Sequence, residues 1–388
     1  MKKKVLMTTF TWPPNQDGVA MASQNLAAGL AARNFDITVA TETHPRRTGH
    51  EVPGVEVREF NVQGWAHSWY PFRGDVDAYV RFVREYSCDF IICQYWGPWS
   101  TVLALRAFKE NPAKKIFVSH GMSSHLWTFH PKPFFGIGQW LGRLPYAVGV
   151  PWTLRRFDHA VFLSEQRDWR RFLDHRLAHW TGYRSHSVIA NGISPDLQQP
   201  SLGNFRVKYN IDAPKIVLNV ANYCERKNQI YALEVFAQAA VPGSAMVFIG
   251  SERNEYTARL ESRLRELQAG EFHLPVYILA DVVREDVRSA FREAAVFLLT
   301  SKAETQPIVL LEAMASRVLF LSVDVGCVRS MPGGFVARSR KGLSSKLHFL
   351  LENPAVRERL ANDAALAIGR EYNWESHVNR FSALLSRL

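Results

Sequence analysis

No uninterrupted apolar run of about 18 residues occurs in the 388-residue chain, so no segment reads as a membrane-spanning helix. Cysteine is scarce: Cys88, Cys93, Cys224 and Cys327 form no C-x-x-C pair and no metal-ligand spacing. This pattern offers no disulfide framework or structural zinc site, and it suits a reducing compartment. MKKK is followed by VLMTTF and then by polar, proline-containing sequence, which is not the pattern of a secretory leader. A cytoplasmic location is therefore expected. Zinc-finger spacings, RNP-like motifs and long Lys/Arg blocks are also missing, so no nucleic-acid partner is expected despite a net charge of +11. That charge leaves an anionic membrane surface or plain solubility as its meaning. The dinucleotide fingerprint G-x-G-x-x-G is absent too: the first strand-to-helix join reads FTWPPNQDGVAM, which gives a nicotinamide cofactor no support.

What is present is alternation. Apolar runs at Lys4–Thr9, Asp36–Thr41, Val55–Phe60, Phe90–Cys93 and Ile116–Ser119 read as strands, with helical patterns at Val19–Arg33 and Val76–Tyr86. The pattern restarts in the second half. Strands are expected at Ile216–Val220, Met246–Gly250 and Val276–Leu279, with helices at Gln229–Ala239, Thr257–Leu267 and Arg284–Glu293. Such alternation implies doubly wound parallel sheets, and the length accommodates two domains. Asp75-Val76-Asp77 spells D-x-D, but its place at a helix start reads as a cap rather than a metal site.

Ala295–Arg317, AVFLLTSKAETQPIVLLEAMASR, carries the sharpest signal. A short apolar strand gives way to a turn with Glu304, and then to a helix with Pro307 in its first turn and Glu312 about two turns in. A strand end meeting a helix N-terminus is where open α/β sheets bind ligands, the backbone N–H groups favouring phosphate. Spacing alone fits equally a βα unit whose glutamates face solvent. His120-Gly121, directly after a buried strand, stands at a sheet's carboxyl edge, although a lone histidine is more often a structural hydrogen-bonder. Residues 122–183 concentrate Trp127, Trp140, Trp152, Trp169 and Trp180 among arginines. Ser164 could cap a helix with an apolar stripe of Trp169, Phe172, Leu173, Leu177 and Trp180, flanked by Arg170 and Arg171. Such a helix fits anionic lipid or, equally, a protein core with wet arginines.

S-x-x-E-x-x-P-x-V-L-L-E-A-M-A closely resembles the E-x7-E segment of family 4 retaining glycosyltransferases of the GT-B fold. The resemblance extends over nearly the whole chain and is strongest from 187 to 328. It implies two Rossmann-like, doubly wound domains facing across a cleft that holds the active site. The implied limits are residues 1–197 for the acceptor-side domain, with 373–388 packing back on it, and residues 198–372 for the nucleotide-sugar domain. By the same resemblance Glu304 and His120 face the donor sugar, and Glu312 holds the ribose. Leu279 and Asp281 lie in the segment that cradles the base. Lys227 matches the lysine that grips the donor diphosphate, Gly18 the glycine of the first-domain loop, and Thr305, Ile308 and Val309 the helix N-terminus beside the phosphates. The chain departs from the pattern at several places: Asp17 for a glycine, Asn222 for the usual arginine with Arg226 nearby, Arg317 for a glycine, Cys327 for a glycine and Ser330 for an acid.

The implied activity is metal-independent, retaining transfer of a hexose-type sugar from a nucleotide diphosphate sugar, with UDP the expected base and no cofactor. The implied acceptor is a hydroxyl of a glycan or lipid-linked molecule in cell-surface polysaccharide synthesis. Trp127, Trp140, Trp169, Arg170 and Arg171 are the acceptor or inner-membrane candidates. Alternatives are a sugar-nucleotide epimerase or phosphorylase of the same fold, or a catalytically silent membrane-surface binding protein.

Overall fold

The computed structural model describes residues 2–15, 17–47, 52–65, 72–122, 148–167, 171–193 and 203–388. Two compact units emerge: Met1–Asn191 with Trp374–Leu388, and Gly192–Asn373. The boundary expected at 197 falls outside the described residues.

The first unit runs β1 (Lys4–Thr8), α1 (Gly18–Ala31), β2 (Asp36–Glu42) and β3 (Val55–Phe60), then a short antiparallel ribbon, β4 (Val62–Gln63) and β5 (Arg73–Gly74). It continues with α2 (Val76–Glu85), β6 (Phe90–Gln94), α3 (Trp99–Ala107), β7 (Lys114–Val118), α4 (Val150–Leu154), β8 (His159–Phe162), α5 (Leu173–Trp180) and β9 (His186–Val188). Its main sheet has the order β3-β2-β1-β6-β7-β8-β9, and every pairing is parallel. The strands read as continuous apolar runs because helices cover both faces, as in β6, where all five residues are buried.

The second unit runs α6 (Phe205–Lys208), β10 (Lys215–Val220), α7 (Gln229–Ala239), β11 (Ser244–Gly250), α8 (Glu255–Gln268), β12 (Val276–Ala280), α9 (Arg284–Glu293) and β13 (Ala294–Leu299). It ends with α10 (Ile308–Ala315), β14 (Phe320–Val323), β15 (Gly334–Ala337), α11 (Arg340–Glu352) and α12 (Pro354–Arg370). Its six parallel strands lie in the order β12-β11-β10-β13-β14-β15. The last helix, α13 (Trp374–Arg387), returns to the first unit. There it packs on α1, where Gly29 gives Val378 room: a Cβ at position 29 would lie 2.4 Å from Val378 Cγ2. Trp374, Val378, Phe381, Leu384 and Leu385 join Leu26 and Leu30 of α1 and Val5 and Met7 of β1 in one buried cluster.

Both sheets reverse their winding direction once, between β1 and β6 in the first unit and between β10 and β13 in the second. Loops diverge at such points and leave a crevice at the strands' carboxyl ends, which is where open α/β sheets bind ligands. The residues that follow β10, β13, β1 and β6 therefore carry the functional question.

Two sequence expectations are corrected here. Ser164 does not cap a helix: its Oγ accepts from the Gln166 N–H, its carbonyl takes His175 Nδ1, and α5 begins only at Leu173. Phe172, Leu173 and Leu177 are buried as the stripe requires, but Trp180 points outward at 71 % exposure. Asp75 does stand at the start of α2, yet its carboxylate makes no helix cap and accepts instead from the Asn61 N–H at 3.0 Å.

Candidate active site

In the second unit the loops after β10 and β13 are stitched together. The Lys302 N–H donates to the Arg226 carbonyl at 2.8 Å, and the Thr300 hydroxyl donates to the Asn228 carbonyl at 3.0 Å. Asn228 adopts a left-handed conformation (φ 58°), which turns the loop into α7, and Gln229 ties the loop's base to the carbonyls of Ala221 and Asn222. This stitching sets Lys227 against Glu304, with Nζ 2.5 Å from Oε1. Arg226 stands at 3.7 Å from the other carboxylate oxygen. The Glu304 side chain is only 9 % exposed. Burial alone would push its carboxyl pKa up; the cations Lys227 and Arg226 overcome this and hold it below the usual carboxylate range. Glu304 is thus an anion at neutral pH, flanked by two cations at the winding reversal.

Beyond Glu304 the chain enters α10 through Pro307, and no side chain caps that helix. Gly326 supports the turn from beneath with φ at 50°: a Cβ there would sit 2.3 Å from the Thr305 carbonyl oxygen, which accepts from the Cys327 N–H. Thr305, Ile308 and Val309 line this uncapped start, where the helix dipole favours an anion. α10 closes with Val318 N–H on the Ala313 carbonyl and Arg317 N–H on the Met314 carbonyl, with Arg317 left-handed at φ 57°. That motif explains why a glycine suits position 317.

Glu312, 8 % exposed, lies along α10 and accepts from Arg284 at 2.7 Å. Arg284 opens α9, just past the end of β12, and sequence reasoning passed over it. Its pairing is long-range and leaves no local mark, although its place after a strand's carboxyl end was a usable signal. Nearby, the Leu279 carbonyl accepts from the Tyr223 hydroxyl at 2.7 Å, and Asp281 is held in a left-handed turn (φ 54°) with its N–H on the Ser251 carbonyl. Asn222 is exposed, and its carbonyl serves Gln229. The second unit thus brings together Lys227, Arg226, Glu304, Thr305 and the α10 start, with Glu312 and Arg284 further along the same helix.

In the first unit His120 follows β7 and is half-buried. Its Nε2 lies 2.8 Å from Oε1 of Gln94, the last residue of β6. Burial and the neighbouring His377 push its pKa down to about 3, so the ring is neutral at physiological pH. The backbone around it is pinned by Asp174, a fully buried carboxylate on α5. Asp174 accepts from the Ser119 hydroxyl, from Trp96 Nε1 at 2.6 Å and from the Met122 N–H at 3.4 Å. Burial pushes the Asp174 carboxyl up, against the pull of those hydrogen bonds. Neither Gln94 nor Asp174 was singled out in the sequence.

The start of α1 differs from that of α10. The Asp17 carboxylate accepts from the N–H groups of Val19 at 2.9 Å and Ala20 at 3.1 Å, and from the Thr11 hydroxyl. Gly18 therefore opens a helix whose first donors are already taken by an internal anion. At the end of β2, Glu42 accepts from Asn15 at 2.8 Å; burial raises its pKa to about 7 against the pull of Arg47.

Trp127, Trp140, Trp169 and Arg170 lie outside the described residues, and Arg171 is half-buried in the turn before α5. Among the described residues of that segment the exposed large aromatics are Trp152 (63 %) on α4 and Trp180 on α5. Arg155, three residues after Trp152, reaches the Thr181 carbonyl at 3.5 Å, which ties the end of α4 to the end of α5. α4 and α5 lead into the starts of β8 and β9, so their last residues lie toward the amino edge of the sheet, whereas His120 follows the carboxyl end of β7. Among the described residues no helix is long and apolar enough to cross a membrane, and no group of three or more His, Cys, Asp or Glu could hold a metal.

Two family models match the chain: a glycosyl transferase 4-like domain over residues 17–173 and glycosyl transferases group 1 over residues 203–366. No curated protein matches the sequence. Among solved structures, sucrose-phosphate synthase from Thermosynechococcus elongatus is similar at 17 % identity and a TM-score of 0.78, covering 100 % of this chain and 99 % of its own. Anabaena HepE in complex with UDP-glucose is similar at 15 % identity and a TM-score of 0.73, covering 99 % and 100 %. A glycosyltransferase from Rickettsia africae is similar at 13 % identity and a TM-score of 0.75, covering 100 % and 98 %. At these identities the likeness is one of fold.

Proposed function

Because the chain belongs to the group 1 glycosyltransferases and has the two parallel-sheet α/β domains of the GT-B fold, we propose that it is a retaining transferase taking a hexose-type sugar from a nucleotide diphosphate donor. UDP is the base we assign, in keeping with the UDP-glucose held by the similar Anabaena protein. The observation that carries the reading is the Lys227–Glu304 pair at the winding reversal of the second sheet, beside the uncapped start of α10.

Lys227, Arg226 and the N–H groups of Thr305, Ile308 and Val309 would take the diphosphate, neutralising charge as it develops on the leaving group. Arg226 stands in for the arginine that Asn222 replaces. Glu312 would take the ribose hydroxyls, with Leu279 and Asp281 at the base, and Glu304 and His120 would orient the sugar. Gly18 would offer the diphosphate a close approach of backbone alone, since Asp17 fills the donors beside it. The bond from the anomeric carbon to the diphosphate oxygen breaks, and the acceptor oxygen bonds to that carbon on the same face. The acceptor proton passes to the departing diphosphate. With these positive groups facing the leaving phosphates, the reaction is assigned as independent of metal.

The acceptor we assign is a hydroxyl of a glycan or lipid-linked glycan made for the cell surface, with an anionic inner-membrane face as a peripheral partner. The net charge of +11 supports that partner. Trp152 and Trp180 stand on helices that end toward the amino edge of the sheet, so the acceptor contact is assigned to Trp127 and Trp140, which follow His120 in sequence. The test is transfer from α-configured UDP-hexoses to a panel of glycan acceptors, with EDTA present and the product's anomeric configuration read by NMR. An α-linked product is expected. A β-linked product, or a requirement for metal, would overturn this reading.

A further inference from the structure

We infer that Gln94 is a positioning residue that fixes His120 as its Nε2–H tautomer, so that a bare Nδ1 meets the donor sugar and selects a neutral, hydroxyl-bearing sugar over a uronate. The inference rests on the donor-site reading above and adds to it a residue and a sugar class.

Gln94 ends β6, a strand of the winding reversal, and is 1 % exposed. Its carboxamide has two unlike ends. The Nε2 end lies 3.7 Å from Met7 Sδ, and the Oε1 end lies 2.8 Å from His120 Nε2. A thioether sulfur has lone pairs and no proton to give, so the amide N–H belongs on its side. The reversed amide would set oxygen against sulfur, two acceptors in contact within a buried site. Oxygen therefore faces the imidazole, and an oxygen acceptor requires the proton on Nε2. A neutral imidazole carries one N–H, which leaves Nδ1 as an acceptor. Among the described residues no protein group bonds to that Nδ1.

The surroundings keep the ring neutral. From the end of β6 comes Gln94, and from the residue after it the Tyr95 ring, 6.2 Å away between centroids. From α13 comes His377, whose own pKa burial lowers to about 4 and whose Nδ1 lies against the Ala190 carbonyl. The Asp174 carboxylate on α5 is engaged with Ser119, Trp96 and Met122 rather than with the ring. Burial and His377 hold His120 at about 3, far below working pH. A sugar hydroxyl can donate to the bare nitrogen. The carboxylate of a uronate would bring lone pairs against lone pairs, and sites built around one hydroxyl partner discriminate strongly against its absence.

The first test needs no activity. Long-range 1H–15N correlation of the histidine rings, with His120 assigned by loss of its signals in His120→Gln, is expected to show a protonated Nε2 and a bare Nδ1 at pH 7. The second compares kcat/KM for a UDP-hexose and the matching UDP-uronate in wild type, Gln94→Met and Gln94→Glu, with UDP affinity measured separately. Gln94→Met is expected to keep UDP affinity and lose about tenfold or more of the neutral-sugar preference. Gln94→Glu sets a carboxylate on Nε2, so the ring takes a second proton at higher pH and hexose transfer acquires an acid limb. A proton on Nδ1 in the wild type would overturn the inference, as would both variants keeping the wild-type preference and pH profile. If the wild type turns over no nucleotide sugar, the transferase reading fails, and the ring spectrum still decides the tautomer.

Discussion

At the scale of single residues, the donor site depends on Glu304 staying charged. A carboxylate with a side chain 9 % exposed is unfavourable unless cations face it, and here Lys227 and Arg226 do so. Lys227→Met removes the largest of the lowering influences and leaves the burial in place, so the Glu304 pKa rises. Arg226 remains, so the expected loss of stability at pH 7 is about 2 kcal/mol, less than that for removing a partner from a fully buried pair. The sign with pH follows from linkage. A carboxyl whose folded pKa is depressed adds stability above its unfolded pKa, and that stability fades as pH falls through the folded value. The gap between wild type and Lys227→Met, measured by urea unfolding, should therefore be widest at neutral pH and close in acid. An equal gap at both ends would mean that Lys227 acts by packing alone. The pairings of Lys227 with Glu304, Arg284 with Glu312 and Gln94 with His120 were not legible in the sequence, because each joins residues distant in the chain. Residue types and spacing showed the groups one by one; only the folded loops show which meet.

At the scale of elements, β10 to β13 of the second unit match their expected positions to within two residues, while β14 and β15 had no counterpart among the expected strands. Parallel strands covered on both faces must be apolar along their length, and such runs show in any sequence. The proposed cap at Ser164 failed for a physical reason: a serine before an apolar stripe is a cap only if the following backbone turns helical. Here residues 165–167 are not helical, and in α5, which starts at Leu173, Asp174 and His175 turn inward to bind Ser119 and Ser164. The end of α10 shows a residue out of step with its backbone. Arg317 holds φ at 57°, a conformation that costs a side-chain-bearing residue roughly 1 kcal/mol and glycine almost nothing. Arg317→Gly should therefore raise stability by about 1 kcal/mol in thermal or urea unfolding, offset by the greater freedom of glycine in the unfolded chain. A loss of stability would show that the arginine side chain contributes more than its backbone costs.

At the scale of the whole molecule, the chain leaves the first unit after Asn191 and comes back to it at Trp374. The returning α13 is structural: it fills one face of the first sheet through Trp374, Val378, Phe381 and Leu385. Phe381 is fully buried, and Phe381→Ala should cost about 3–4 kcal/mol by lost burial plus the cavity left behind. Calorimetry of that variant should show the loss in the transition that the donor nucleotide does not shift. A loss confined to the nucleotide-stabilised transition would contradict the placing of α13. The central claim is the donor site of the second unit, and one measurement tests it most directly: the melting temperature of the intact protein with UDP-glucose, with and without EDTA, beside that of Glu312→Ala. A ligand that binds only the folded state raises that temperature by mass action. A rise is expected with the wild type, one that EDTA leaves unchanged and that Glu312→Ala abolishes. An equal rise in Glu312→Ala, or none in the wild type with any UDP-, GDP- or ADP-sugar, would contradict it.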